Sequence, residues 1–193
     1  GMDDTQNWLA AHTQDPRDFN LLEAAGADFV RVRLPFQDVS PSPGVFSWAF
    51  QTEEGYVDYE TLFSRLDRRG IRPVLVLEGG PAYANHLFPQ QPVNRDELLD
   101  SWANYVAAAA AQFGGQVDYW QVGGTVNDPA AWGRTIFPDA ADPQAPPDAG
   151  LYGEMLKTAY TILKSAQASD NVLLGGLALG GDCAFHPLAY LQA

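Results

Sequence analysis

The run Ile71-Arg72-Pro73-Val74-Leu75-Val76-Leu77 decides the fold. It is almost unbroken in apolar character and does not alternate in polarity. A strand with one wet face alternates; a strand covered on both faces does not, and that is the condition of a strand in a parallel sheet flanked by helices. Just upstream, residues 59–69 read as a helix with Leu62, Phe63 and Leu66 inward and Gly70 as its stop. Before that, Asp28-Phe29-Val30-Arg31-Val32-Arg33-Leu34 is a second β-rich run. A helix opening at Asp15-Pro16 leads into it, with Phe19, Leu21, Leu22, Ala24 and Ala25 as its apolar face and Gly26 as its end. The first fifteen residues are polar and carry no strand pattern; Gly1 in front of Met2 reads as a tag remnant.

Downstream the alternation continues. Residues 95–113 form a helix with Leu98, Leu99, Trp102, Tyr105 and Val106 inward, stopped by Gly114-Gly115. Residues 117–122 are the third strand, 151–168 a helix, 171–179 the fourth strand and 187–192 a short closing helix. Helices and strands in strict alternation specify an α/β domain of parallel strands joined by right-handed crossovers. Residues 1–193 read as one such domain. No Gly-x-Gly-x-x-Gly follows the first strand, so a dinucleotide-binding sheet lacks its main signature. The loops after the strands are long, including 79–94 and a Pro- and Asp-rich loop over 134–150, whereas the loops before them are short. That asymmetry fits a TIM-barrel-like (β/α) fold. About four to five β/α units are visible, a partial barrel unless another chain completes it.

The 193 residues include 11 Lys+Arg against 24 Asp+Glu, a net charge of −13, which opposes non-specific binding to nucleic acid or to an anionic membrane. Neither a secretory signal nor a membrane-spanning run is present, which makes the cytoplasm the default expectation. Cys183 is the single cysteine and reads as a small buried or loop residue. His12, His86 and His186 lie far apart, so no metal site and no cofactor is expected.

Several ordered segments carry a resemblance. Residues 25–31, Pro35-Phe36-Gln37-Asp38-Val39 and Pro43-Gly44-Val45-Phe46-Ser47-Trp48 resemble the second-strand region of retaining (β/α)8 glycoside hydrolases of the β-xylosidase, α-L-iduronidase and cellulase-like group. Asp58-Tyr59, residues 69–75, Gln112-Phe113-Gly114, residues 120–127 with Trp132, Tyr152, and residues 172–177 continue the match in order. The resemblance implies about strands two to five of that barrel, with no clear match to its first strand. In the family the fourth strand ends Trp-Glu-Val-Trp-Asn-Glu-Pro-Asn; here the stretch is Trp120-Gln121-Val122-Gly123-Gly124-Thr125-Val126-Asn127. The family's acid/base glutamate falls on Thr125, its preceding Asn on Gly124 and its Pro on Val126. Retaining hydrolysis needs two carboxyl groups about 5 Å apart. The family's nucleophile belongs to a later strand than any seen in this sequence.

The resemblance thus implies a glycoside hydrolase-like domain that is inactive on its own and retains carbohydrate binding. Two other readings stand beside it: an assembly module that builds its barrel by dimerisation, and half of an active glycosidase completed by another segment. Glu78, at a strand end, is the one candidate for a displaced acid; its rival reading is a carboxylate bonded to the loop backbone. Arg31 falls on the family's second-strand arginine, and a structural ion pair explains it equally well. Phe36, Tyr83, His86 and Trp132 are candidates for stacking on sugar rings, against ordinary packing. Asn127 survives from the family motif. Expected partners are a carbohydrate and a second copy or missing barrel segment, with neither nucleic acid nor membrane.

Overall fold

A computed structural model describes residues 2–4, 16–52, 55–79, 95–127 and 148–178. In chain order the elements are β1 (Met2–Asp4), α1 (Pro16–Ala24), β2 (Phe29–Pro35), α2 (Phe36–Val39), β3 (Ala49–Gln51), β4 (Tyr56–Asp58), α3 (Tyr59–Asp67), β5 (Arg72–Glu78), α4 (Arg95–Phe113), β6 (Tyr119–Thr125), α5 (Ala149–Ala166) and β7 (Asn171–Gly176). The main sheet has the order β1-β2-β5-β6-β7, and each neighbouring pair is parallel. It is an open arc of a (β/α) barrel among the described residues.

Each helix–strand unit is built from local signals. Gly26 and Gly70, both at φ 67°, end α1 and α3 in the left-handed conformation that glycine adopts without strain. Asp58 caps α3 by accepting the Thr61 N–H at 2.9 Å, and Asp148 caps α5 by accepting the Leu151 N–H at 2.8 Å. Arg95, at the start of α4, donates to Asp148 at 3.2 Å and to Glu154 at 2.8 Å, which ties α4 to α5 at the surface.

The register divides the sheet side chains into two faces. Val32, Leu34, Leu75, Leu77, Trp120 and Val122 point toward the helices and are buried. There they meet Phe19, Leu62, Phe63, Leu66, Trp102, Tyr105, Val106 and Phe113. An aromatic cluster fills the space over β2: Phe36 stacks on Tyr105 at 4.4 Å, and Phe113 meets Phe63 at 5.0 Å and Trp48 at 5.1 Å edge-on. Buried polar ends are satisfied, since Trp102 Nε1 donates to Met155 O at 3.0 Å and Tyr59 Oη to Arg33 O at 3.0 Å. The opposite face carries Arg31, Arg33, Val74, Val76, Glu78, Tyr119 and Gln121.

Four expectations are corrected. Met2–Asp4 form a strand paired with Val30–Val32, so the sheet has five strands and its first-strand edge is occupied. Three residues are too few to show a period. Pro41, Pro43 and Gly44 mark the stretch after β2 as a loop, and it is more than that: it holds α2 and the antiparallel β3–β4 hairpin, whose Ala49, Phe50 and Gln51 pair with Asp58, Val57 and Tyr56. On α1, Leu21 is exposed and only Phe19 and Leu22 of the expected apolar face are buried, because the helix offers the sheet a narrow stripe. Helix α5 begins at Ala149, inside the stretch assigned to the Pro- and Asp-rich loop. The rest of that loop, and the closing helix over 187–192, lie outside the described residues.

Candidate functional site

The described cleft opens at the C-terminal ends of β2, β5 and β6. Arg33, Gln37, Glu78, Thr125 and Tyr152 line it with the backbone of Gly79, Gly123 and Gly124. Its cavity volume is about 60 Å³, well short of the roughly 300–1,000 Å³ of a small-molecule pocket. These residues therefore form the base of a cleft, large enough for waters or for one polar group of a ligand.

Glu78 is the central charge. The side chains of Arg33 and Glu78 lie on the same sheet face, and Arg33 Nε donates to Glu78 Oε1. The carboxylate is 13% exposed and the guanidinium 39%. Glu78 Oε2 leans over Gly124, where an added Cβ would overlap it. The absence of a side chain at 124 leaves the room that this carboxylate occupies.

The end of β6 has an unusual course. The β6–β7 register shifts between Val122 and Thr125, and Gly123 sits at φ 82°. An extra residue with a left-handed glycine is a β-bulge, which re-aims the residues after it. Gln121 holds the bulge: its Nε2 donates to Gly123 O at 2.8 Å, and its Oε1 accepts from Arg31 Nε at 3.0 Å. The bulge lets Val126 drop into a slot between Gly123 and Gly175, where its Cγ1 would stand 2.5 Å from a Cβ at either position. Thr125 pairs with Gly176 and lines the cleft. Tyr152 fastens the floor, donating to Val122 O at 2.9 Å and accepting from Gly175 N at 2.8 Å. Burial pushes its phenol up to about 12, so it stays protonated and donating.

The sequence candidates separate under this geometry. Glu78 and Thr125 come together in the cleft. Arg31 is engaged with Gln121 on the same sheet face, one step further from the strand ends than Arg33. Asn127 is fully buried, with both ends of its amide bonded to Ala178: Nδ2 to O at 3.1 Å, and Oδ1 from N at 2.8 Å. It extends the β6–β7 pairing with a side chain. Phe36 is buried with a face covered by Tyr105. Tyr83, His86 and Trp132 lie outside the described residues.

Arg33, Gln37 and Gln121 were not singled out in the sequence. Arg33 was within reach, because a strand period of two puts it on the face of Arg31, one step nearer the strand end. No group of His, Cys, Asp and Glu among the described residues could hold a metal.

Fold and cleft together define the architecture: an open arc of a (β/α) barrel, with the cleft at the strands' C-terminal ends. Among solved structures, the chain is similar to a family 39 glycoside hydrolase from Bacteroides cellulosilyticus, at 21% identity and a TM-score of 0.58, over 86% of this chain and 30% of that one. It is also similar to a β-glucosidase from Exiguobacterium marinum, at 20% identity and a TM-score of 0.61, over 85% and 37%. A family 1 β-glucosidase from Thermotoga maritima follows at 18% identity and a TM-score of 0.52, over 82% and 35%. The likeness is one of fold, and the chain spans about a third of the length of these enzymes. No family model and no curated protein matches the chain. Among the described residues, no helix is long and apolar enough to cross a membrane.

Proposed function

We propose that this chain is a glycoside hydrolase-like domain that binds carbohydrate in the cleft at its strand ends and does not cleave it alone. The observation that carries this reading is the Arg33–Glu78 pair beside Thr125. The Glu78 carboxylate, engaged by Arg33 through Oε1, keeps lone pairs that suit the hydroxyl donors of a sugar. Thr125, where the resemblance expects the acid/base carboxyl, cannot protonate a leaving oxygen. The names of the similar solved enzymes make β-linked glucosides the first ligands to try.

The test is a titration of the chain with cellobiose, followed by calorimetry and amide chemical shifts, next to an assay with an aryl β-glucoside. The expected result is weak binding that Glu78→Gln reduces at least tenfold, with no hydrolysis above the blank. Hydrolysis that disappears in Glu78→Gln would show Glu78 to be a working acid and the inactive reading to be wrong. Absence of binding to any β-glucoside would remove the carbohydrate reading.

A further inference from the structure

Gln121 lies within the sheet, in the row Arg33–Val76–Gln121, and is 8% exposed. Its amide works in both directions. Oε1 accepts from Arg31 Nε at 3.0 Å, while Nε2 donates to Gly123 O at 2.8 Å and reaches Gly124 O at 3.5 Å. The orientation is forced, because a guanidinium only donates and a carbonyl only accepts. On a regular strand a side chain stands across the sheet, while the carbonyls lie along the ladder. Gln121 reaches the carbonyl two residues on because Gly123, at φ 82°, turns the chain out of that ladder.

The bulge so held carries one wall of the cleft. Glu78 Oε2 leans over Gly124, and Thr125 follows directly and lines the same cleft. The two carbonyls that Gln121 holds thus set where the end of β6 stands relative to the Glu78 carboxylate. We propose that Gln121 is the positioning residue of this cleft: by accepting from Arg31 and donating to the bulge at once, it fixes Gly124 and Thr125 against Glu78. The proposal deepens the ligand-binding reading of the cleft and rests on it. It also gives Arg31 a part in the site at one remove, through the amide it orients.

Such a role requires an amide and not a carboxylate. In Gln121→Glu at neutral pH, the new group still accepts from Arg31, but it turns a lone pair toward Gly123 O and Gly124 O where the parent has a donor. Protonation restores the pattern, because a carboxylic acid has one O–H to give and keeps an acceptor. Acid should therefore repair the variant as pH approaches the ordinary glutamate value of about 4.3. The other titratable groups on this face of β2, β5, β6 and β7 are Arg31, Arg33, Arg72, Glu78 and Tyr119. The parent shares all of them, so a comparison at equal pH isolates the group at 121.

The experiment records the amide chemical shifts of Gly124 and Thr125 without sugar, and the cellobiose affinity, from neutral pH down to the glutamate range. Each variant is compared with the parent at the same pH. Gln121→Glu should displace both shifts at neutral pH and weaken binding about fivefold, the size of one lost hydrogen bond. Shifts and affinity should return toward the parent on acidification. Gln121→Met, which offers no donor, should show the defect at every pH. Arg31→Met removes the donor to Oε1 and should also displace the two shifts, which keeps the test open where the changes at 121 prevent folding. Parent-like shifts and affinity in Gln121→Glu at neutral pH, a defect that acid does not reverse, or parent-like shifts in Arg31→Met would overturn the proposal. If the parent binds no β-glucoside, the carbohydrate reading fails by itself, and the acid-reversible shifts of Gly124 and Thr125 still decide the role of Gln121.

Discussion

The two faces of the sheet obey different rules. The face toward the helices is apolar row after row: Leu34, Leu77 and Val122 abut one another, and α3, α4 and α5 seal them. The opposite face alternates charge and hydrocarbon, with Arg31 and Arg33 on β2, Val74, Val76 and Glu78 on β5, and Gln121 on β6. Its polar members are held by specific partners: Arg31 by Gln121, Arg33 by Glu78, and Gln121 by the carbonyl of Gly123. Stability lives on the first face, while shape and chemistry at the strand ends live on the second. A buried hydrocarbon loses its transfer energy and leaves a cavity when truncated, whereas a half-exposed one loses far less.

The adjacent residues Leu75 and Val74 give the sharpest way to break that contrast, because they share a strand and differ in face. Leu75 is fully buried against the helices and Val74 is half-buried on the other side. Leu75→Ala should cost about 2–5 kcal/mol, and Val74→Ala about 1 kcal/mol or less. Chemical denaturation with matched m-values measures both. Equal costs would mean that the second face is packed as tightly as the first, as in a closed barrel interior.

Gly123 tests whether the second face has a shape that must be preserved. Alanine there would sit at φ 82° and its Cβ would press on Val126 Cγ1. Overpacking of this kind costs about 1–3 kcal/mol. The change should also move Thr125, so cellobiose binding should weaken while Glu78 and Arg33 remain. A variant as stable as the parent, with unchanged binding, would show that the bulge is incidental to the cleft.

The contrast between faces also explains what could be read in the sequence. The helix-facing residues repeat: Leu62, Phe63 and Leu66, then Leu98, Trp102, Tyr105 and Val106 recur at helical spacing, and Val74 to Leu77 form a continuous apolar run. From these the parallel α/β arrangement and the partial barrel were legible. Met2–Asp4 and the Ala49–Asp58 hairpin were not, because three-residue strands have no period to detect and tertiary pairing alone creates them. Glu78 and Thr125 could be placed at strand ends by counting. Their partners could not: the Arg33–Glu78 pair joins residues 45 apart, and Arg31–Gln121 joins residues 90 apart. Such pairs follow from register, which no local pattern specifies. Gly124 read as a lost side chain in the resemblance. In the structure, it is the space that Glu78 occupies.

The smallest expected effect concerns the end of the sheet away from the cleft. Trp120, on the helix side, donates its Nε1–H to Asp170 Oδ2 at 2.8 Å, and Asp170 Oδ1 is buried without a hydrogen bond. Burial raises the Asp170 carboxyl above its ordinary 3.8, and the Trp120 bond and the Lys164 charge only partly counter it. The folded state then holds the proton more tightly than the unfolded chain does. The stability this group contributes is present below about 3.8 and is lost as pH rises through the higher folded value. Asp170→Asn keeps an acceptor for Trp120 and removes the titration. The melting temperature of the parent, measured relative to this variant, should therefore fall as pH rises through that window and level off above it. A rising difference would mean that the ionised carboxylate is favoured in the fold, with Trp120 and Lys164 outweighing burial. Asp170→Ala separates the hydrogen bond from the charge: it leaves the buried indole N–H without an acceptor at every pH, a loss of about 1–3 kcal/mol relative to Asp170→Asn that should not vary across the same window.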